Sequence, residues 1–594
     1  MKELEYPFDS DYIIKKKKTI KKQLLSEDKK WLEKNIAILG GSTTNDIKLV
    51  LELFLLNYGI KPNFYESEYN KFWEDAMFEN KELEEFKPDI IFICTTNKNI
   101  LNYPTLSDNS EYINKSLENE FERFKQMWES LFSKYNCPII QNNFDYPTYR
   151  LLGNKDATDV HGKVNYITKL NLKFSEYAEN NANFFINDIN YQSAQYGLDK
   201  WQDPFYWYMY KYAIAVPAIP TLSFNVANII KAIYGKNKKG LVLDLDNTLW
   251  GGIVGDDGVD NLIIGEETSL GQVYTDFQKY LKELQQAGII LNINSKNDEA
   301  NAIAGLNHVD GILKPDDFIV VKANWEPKST NMQSIADELN LGIDSLVFID
   351  DNPAERAIVQ DYLKDVAVPS MDEPYKYIQT VDHSLFFEAV SLSKDDLKKN
   401  EMYKENIERN KMMASFTNYD DYLKSLNMTA TIDSFAPIYM ARIAQLTNKS
   451  NQFNLTTKRY TQTEIESTAD DGNYITLYGK LEDKFGDNGV VSVVIGKKNN
   501  DRLDIDLWIM SCRVLKRDME FAMMDALVKE CIKHNIKEIY GYYYPTVKNG
   551  MVKDFYAIQG FNKISEDQEG NTVWKFTIDN YLDKNKFIKV EERK

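Results

Sequence analysis

The sequence predicts a multidomain α/β protein, and three observations carry the prediction. At 594 residues the chain is too long for one core, since a domain takes about 100–200 residues. Short apolar runs that end in glycine or polar turns recur along it, each followed by residues at helical spacing. That alternation is the pattern of doubly wound parallel sheets. A hydrophobic content of 43% with 27% charged residues is that of a soluble globular chain.

In order, residues 1–35 read as a helical lead-in. Its basic run, Lys15–Lys18 with Lys21 and Lys22, fits the solvated face of a helix better than a docking patch. A first α/β domain is expected over 36–230. Its strand Asn35–Leu39 ends in Gly40-Gly41-Ser42-Thr43-Thr44 before a helical run through Leu56, and a second strand, Asp89–Cys94, ends in Thr95-Thr96-Asn97. A serine at such a turn is either a nucleophile or a helix cap. The aromatic stretch Trp201–Ala218 is expected to be core or interdomain packing rather than a ligand box. Pro217, Pro220 and the basic Lys236–Lys239 mark a boundary.

The stretch at the centre of the chain is GLVLDLDNTLWGG, Gly240 to Gly252. Leu241, Val242 and Leu243 form a buried strand that runs into Asp244, with Asp246 two residues on. In open α/β sheets the chemistry gathers at the carboxyl ends of the strands. Two acids there suit phosphoryl transfer: Asp244 to attack phosphorus, Asp246 to protonate the leaving oxygen and later deprotonate water. A strand end entering an Asp-rich turn is the plainer alternative for DxDxT alone. Three later stretches favour the chemistry. Gly288–Ile293 leads to Asn294-Ser295-Lys296-Asn297, where a hydroxyl can hold a phosphate oxygen. Asn324-Trp325-Glu326-Pro327-Lys328 places a cation before a helical stretch, Ser329–Leu339. Ser345–Ile349 ends in Asp350-Asp351-Asn352-Pro353, and carboxylates there with Asp244 suit Mg²⁺.

With DLDNTLWGGIVGDDG, NSKND, NWEPKSTNM and FIDDNPAER present in that order, the segment 236–385 resembles the FkbH-like family of the haloacid dehalogenase (HAD) superfamily. The resemblance implies a capless HAD site: Asp244, Asp246 and Lys328 catalytic; Ser295, Asn297, Thr248 and Lys328 on phosphate; Asp244, Asp246, Asp350 and Asp351 on Mg²⁺. Gly258 to Tyr274 leaves no room for a sizeable cap. Residues 36–230 are similar to the SGNH-hydrolase-like domain that precedes HAD in longer members, with Ser42, Asn97 and Asp203 at its motif positions. The usual late Asp-x-x-His is here Asp203-Pro204-Phe205-Tyr206, and His161 is the one histidine of the domain. A binding or scaffolding role is therefore expected over an esterase, because Ser42 lacks a base.

Residues 386–414 read as a connecting helix and 415–580 as a third α/β unit. Through Gln445–Tyr460, Phe485–Gly489, Leu503–Met510 and Pro545–Tyr556 it resembles the GNAT-like acyltransferase domain of long FkbH-like proteins. Such folds hold the CoA pyrophosphate at a helix N-terminus reached through a glycine-bearing loop. Here that loop, Cys512–Met519, has no glycine. Arg513, Lys516 and Arg517 either bind phosphate directly or form a basic turn that binds nothing. Asn454, Arg459, Asp487 and Tyr556 are the polar candidates for an acyl site.

Functionally, the resemblance implies drawing a glyceryl unit from 1,3-bisphosphoglycerate and passing it to the phosphopantetheine thiol of an acyl carrier protein, or to another acceptor such as a CoA thioester system. Some members hold the acyl group on a cysteine, yet none lies between 240 and 385. Two alternatives stand beside this: a phosphatase of a phosphorylated sugar or metabolite in polysaccharide or secondary-metabolite assembly, and a non-enzymatic binding protein. A net charge of −19 argues against nucleic acid. No apolar stretch approaches membrane-spanning length, and the N-terminus lacks a signal-peptide core. Cys94, Cys137, Cys512 and Cys531 form no metal spacing or disulfide framework, so a cytoplasmic home is expected.

Overall fold

The computed structural model describes residues 1–27, 30–450, 452–546, 548–579 and 581–591. Positions 451, 547 and 580, within the third expected unit, lie outside the described residues. The chain forms two compact units, Met1–Ile233 with Glu388–Val390, and Tyr234–Phe387 with Ser391–Lys594.

The first unit is built on five parallel strands, β1 (Leu32–Gly40), β2 (Ile60–Glu66), β3 (Ile90–Cys94), β4 (Ile139–Asn142) and β5 (Phe184–Asn187), in the order β2-β1-β3-β4-β5. The Ile-rich stretches Ile36–Leu39 and Ile90–Ile93 are fully buried, as strands covered on both faces must be. Strand order reverses between β1 and β3, which opens a crevice at their carboxyl ends. Asp9 caps the lead-in helix Ser10–Leu25 by accepting from the Tyr12 amide at 3.0 Å. Ile13, Ile20 and Leu24 face inward there, while Lys15, Lys16, Lys18 and Lys22 are exposed. Lys17 and Lys21 reach Asp46 and Glu52 at 2.5 and 2.7 Å, so the run is a solvated, ion-paired helix face.

Two expectations need amending here. Trp201 is indeed core, but the helix Pro204–Tyr210 buries none of its residues, and Phe205, Tyr208, Met209 and Tyr210 are all exposed. At seven residues, Asp203-capped and turned outward, this helix is too short to present a buried stripe. Further on, Val216–Ile233 is long and apolar enough to cross a membrane, and most of it is buried inside the protein as a core helix against Asn45–Asn57.

The second unit holds two sheets. One is a parallel set of β6 (Gly240–Leu243), β7 (Ile290–Ser295), β8 (Val321–Ala323) and β9 (Leu346–Ile349), ordered β8-β7-β6-β9. The other is mixed: β10 (Thr429–Asp433), β11 (Phe453–Asn454), β12 (Tyr474–Asp483), β13 (Gly486–Asn499), β14 (Arg502–Met510), β15 (Glu538–Tyr543), β16 (Asn562–Glu566), β17 (Thr572–Thr577) and β18 (Lys589–Glu591). Strands β12 to β14 are antiparallel neighbours, and β14 then pairs in parallel with β15 across the helix Met519–Lys533. That parallel pairing covers only Arg502–Asp504 against Glu538–Tyr540, after which the strands part. This is the layout of a GNAT-like domain. The helix Lys399–Met413 precedes it, and Asn400 ties its first turn to the Gln285 carbonyl at 2.7 Å.

Candidate active site

Register places the acids. Leu243 of β6 pairs with Ile293 of β7 on one side and Ile349 of β9 on the other. The next residues, Asp244 and Asp350, therefore emerge side by side at the carboxyl edge, with Asn294 across from them. Asp244, Asp350 and Asp351 each offer an oxygen within 4.8 Å of the others. The loop after β8 delivers Lys328, first residue of the helix Lys328–Glu338, between them. Its Nζ lies 3.0 Å from Asp244 Oδ1 and 2.5 Å from Asp350 Oδ2, with 3% of the side chain exposed. Its backbone is fixed from below: Asn294 Nδ2 donates to the Lys328 carbonyl at 2.9 Å, and Asn331 holds Asn294 Oδ1 at 3.1 Å.

Charge follows from this packing. Burial, reinforced by the neighbouring Asp244 carboxylate, pushes Asp350 up to about 6 against the pull of Lys328. Asp351 is raised for the same two reasons. Burial by itself lowers a lysine, but the carboxylates of Asp244 and Asp350 outweigh it and hold Lys328 above its ordinary value. Asp246 is raised, chiefly by burial.

Asp246 stands apart from the three-carboxylate group. Its Oδ1 accepts from Trp250 Nε1 at 2.9 Å and the Val254 amide at 3.0 Å, and its Oδ2 from Asn297 Nδ2 at 3.0 Å. So its carboxylate is not among the clustered oxygens, and Asn297 is engaged with Asp246 rather than free for phosphate. Thr248, fully buried, accepts the Asp351 amide at 3.2 Å and so secures the acid loop. Ser295 is buried at the end of β7. Arg356 braces that loop, donating to the carbonyls of Asp350 and Asp351 at 2.9 and 2.7 Å.

The roles of Trp250 and Val254 toward Asp246, and of Asn294 and Asn331 toward Lys328, escaped the sequence reading. Two glycines after Trp250 mark a turn, and nothing in the spacing says which way the indole points. A cue exists in hindsight, since Gly305 admits the ring: a Cβ there would meet Trp250 at 2.8 Å. Asn247, at φ 56, makes the left-handed turn that follows Asp246, a conformation asparagine tolerates.

The other expected sites fare differently. In the first unit Ser42 and Asn97 do follow β1 and β3 at the switch point. Asn97 donates through its amide and Nδ2 to Asp145 Oδ1 at 3.0 and 2.9 Å. Asp203 caps a helix through the Phe205 amide at 2.9 Å. His161 has Asp159 at 2.7 Å on Nδ1 and the Asp108 carbonyl at 2.9 Å on Nε2, so neither nitrogen is free to serve as a base. In the last domain the seven candidates do not form one open site. Asn454 builds its own turn with Thr457 and Lys458. Half-buried Arg459 donates to the Tyr234 carbonyl at 2.9 Å. Asp487 sits in an exposed hairpin opposite Lys480 at 3.3 Å. Tyr556 is fully buried with its hydroxyl unpartnered. Arg513 and Arg517 face inward, while Lys516 is exposed.

The fold and the first of these sites define a HAD-type phosphatase centre on a capless parallel sheet. Residues 35–231 match the model of the FkbH N-terminal domain. Among solved structures, the chain is similar to the N-terminal part of the protein BF1531 from Bacteroides fragilis, containing a phosphatase domain complexed with Mg. They share 30% identity at a TM-score of 0.59, over 63% of this chain and 99% of that one. It is also similar to the ribosomal-protein-S18-alanine N-acetyltransferase from Escherichia coli, at 12% identity and TM-score 0.21 over 27% of this chain and 100% of that one. Ard1 from Thermoplasma volcanium matches at 18% identity and TM-score 0.20, over 25% of this chain and 97% of that one. No curated protein matches. The chain belongs to the FkbH-like HAD family.

Proposed function

We propose that this protein transfers phosphoryl groups through Asp244. The supporting observation is the convergence of three carboxylates within 4.8 Å with a buried lysine 3.0 and 2.5 Å from two of them. Oxygen-only, acceptor-only ligands of this kind suit Mg²⁺, which prefers one or two carboxylates plus water and phosphate. Asp244, Asp350 and Asp351 would hold it, and it would supply charge neutralisation on the phosphoryl oxygens. Asp244 attacks phosphorus, forming an aspartyl-phosphate as the bond to the leaving oxygen breaks. Asp246, whose pKa is raised chiefly by burial, gives that oxygen its proton. It then takes a proton from the water that attacks the aspartyl-phosphate, which returns both acids to their starting state. Lys328 offsets the negative charge on the phosphorane.

The substrate we propose is a phosphoglyceryl or similar acyl-phosphate, with the glyceryl unit delivered to a carrier thiol or another acceptor. Simple hydrolysis of a phosphorylated sugar or metabolite is the second reading, and cysteine placement favours it. Residues 240–385 hold no cysteine. Cys94, Cys137 and Cys531 are buried, and burial pushes Cys94 and Cys531 up to about 12.

Incubation with labelled 1,3-bisphosphoglycerate and a phosphopantetheinylated carrier separates the two. Label on the carrier supports transfer, while phosphate release alone supports hydrolysis. Asp244→Asn is expected to abolish either while leaving the fold intact. Residual activity within about tenfold of wild type, only about 1.4 kcal/mol of barrier, would remove Asp244 from its role.

A further inference from the structure

The C-terminal domain's layout implies a coenzyme A thioester, and its residues can be tested for fit. Where β14 and β15 part, beyond Asp504 and Tyr540, the edge of β14 would expose unpaired backbone groups. An extended, amide-bearing arm such as pantetheine adds to such an edge as a strand does. Its pyrophosphate would then reach the loop leading into Met519–Lys533.

Both places are already taken by the chain itself. The edge of β14 away from β13 is paired with β11, Phe453 opposite Met510 and Asn454 opposite Ile509. Leu455 continues the contact: its amide donates to the Trp508 carbonyl at 3.2 Å, and its carbonyl accepts the Tyr544 amide at 2.9 Å. Leu455 thus bridges the gap between β14 and the end of β15. Thr456 Oγ1 donates to the Asp506 carbonyl at 2.8 Å, and Asn549 Nδ2 holds the Asn454 carbonyl at 2.9 Å. Phe453 and Leu455 are buried.

At the loop, Arg517 is turned away from solvent. It donates to Asp483 at 3.1 Å, to Asn406 of the helix Lys399–Met413 at 2.6 Å and to the Arg513 carbonyl at 2.6 Å. Asp483 is itself fully buried and also bonded by Arg409 at 2.8 Å through both Nε and NH2. An internal carboxylate therefore sits where these cations would otherwise meet phosphate. Glu520 adds a second, accepting from its own amide in the first turn of Met519–Lys533, where an anion would bind.

We infer that the C-terminal domain has closed its own cofactor groove, with residues 453–456 in place of the pantetheine arm and Asp483 in place of the pyrophosphate, and takes no coenzyme A thioester. The domain contributes architecture, clamping the connecting helix through Arg409, Asn406 and Arg517. This conclusion is independent of the phosphoryl-transfer reading.

Two measurements on the full chain test it. Calorimetric titration with coenzyme A is expected to show no saturable binding up to about 1 mM; a Kd below about 100 μM would overturn the inference. Hydrogen exchange, read with and without coenzyme A, is expected to show the Leu455 and Tyr544 amides protected at least about 100-fold and unchanged by the cofactor. Fast exchange, or a change in protection when cofactor is added, would show a groove that opens. As a companion, Arg517→Met is expected to lower Tm by about 3 °C or more, since it removes one of the two guanidinium partners of the buried Asp483 together with the bond to Asn406. An unchanged Tm would place Arg517 outside any clamp.

Discussion

Lys328 offers the sharpest test of the phosphatase centre. Replacing it with Met keeps the volume and deletes the cation that touches both Asp244 and Asp350. Two carboxylates within 4.8 Å of each other repel by about 3.5 kcal/mol or more at an effective dielectric near 20. Removing one partner of a buried pair costs about 3–5 kcal/mol. The fold has one escape. Asp350 already sits at about 6, and without Lys328 it rises further and takes up a proton. A carboxylate whose folded pKa is raised favours the fold at low pH and loses that contribution as pH climbs through the folded value. The deficit of Lys328→Met should therefore be about 3 kcal/mol at pH 8 and smaller at pH 6. Mg²⁺ replaces the missing charge, so it should stabilise the variant more than wild type through preferential binding to the folded state.

Scanning calorimetry at both pH values, in EDTA and in excess MgCl2, reads all of this from the transition that responds to Mg²⁺. At about 2–4 °C per kcal/mol the EDTA deficit at pH 8 is roughly 6–12 °C. A variant within about 0.5 kcal/mol of wild type in EDTA, or an equal Mg²⁺ increment for both proteins, would mean that the carboxylates and the lysine do not form one electrostatic unit.

Three further outcomes follow from particular contacts. Trp250→Phe deletes one donor to Asp246, so that carboxyl rises further; the alkaline limb of the pH–rate profile should move up by as much as about one unit while kcat falls, and a downward or absent shift would take Asp246 out of the acid role. Gly305→Ala drives a Cβ to 2.8 Å from the Trp250 ring and should cost about 1–3 kcal/mol together with activity, so wild-type stability in urea would refute that packing. Burial pushes Glu520 up to about 7 from 4.5, which gives a contribution to stability that is complete at low pH and lost as pH rises through that window. Glu520→Gln should accordingly be more stable than wild type at pH 8, by up to about 3 kcal/mol, and lose the advantage near pH 5; a difference independent of pH would contradict the assignment.

Much of the phosphatase centre was legible in the sequence because its residues stand at strand ends. Once Leu241–Leu243 and Ser345–Ile349 are read as parallel neighbours, Asp244 and Asp350 must emerge together, and Lys328 follows from the turn before its helix. What escaped was every contact that depends on side-chain direction. Asn297 reads as a phosphate ligand by position, but its amide faces Asp246. Thr248 reads the same way and instead holds the Asp351 backbone. The exposed aromatics of Pro204–Tyr210 were misplaced for a related reason, since composition reports how apolar a stretch is and not which side of it meets the protein.

The last domain shows where residue type stops being informative. Arg513, Lys516 and Arg517 have the composition of a phosphate grip, and Asn454 and Tyr556 that of an acyl site. Whether a basic loop meets a ligand depends on whether something else has already neutralised it. Asp483 lies 34 positions from Arg517 and Asn406 lies 111 positions away, separations over which no spacing rule operates. Likewise, Phe453-Asn454-Leu455 is unremarkable as a string. Its meaning comes from register, because at Ile509 and Met510 β14 has β13 on one edge and can accept only one strand, or one ligand, on the other. The same reasoning assigns the chain's chemistry to the sheet whose carboxyl edge stays lined with paired acids and a lysine, and leaves the sheet with a filled groove to hold the connecting helix.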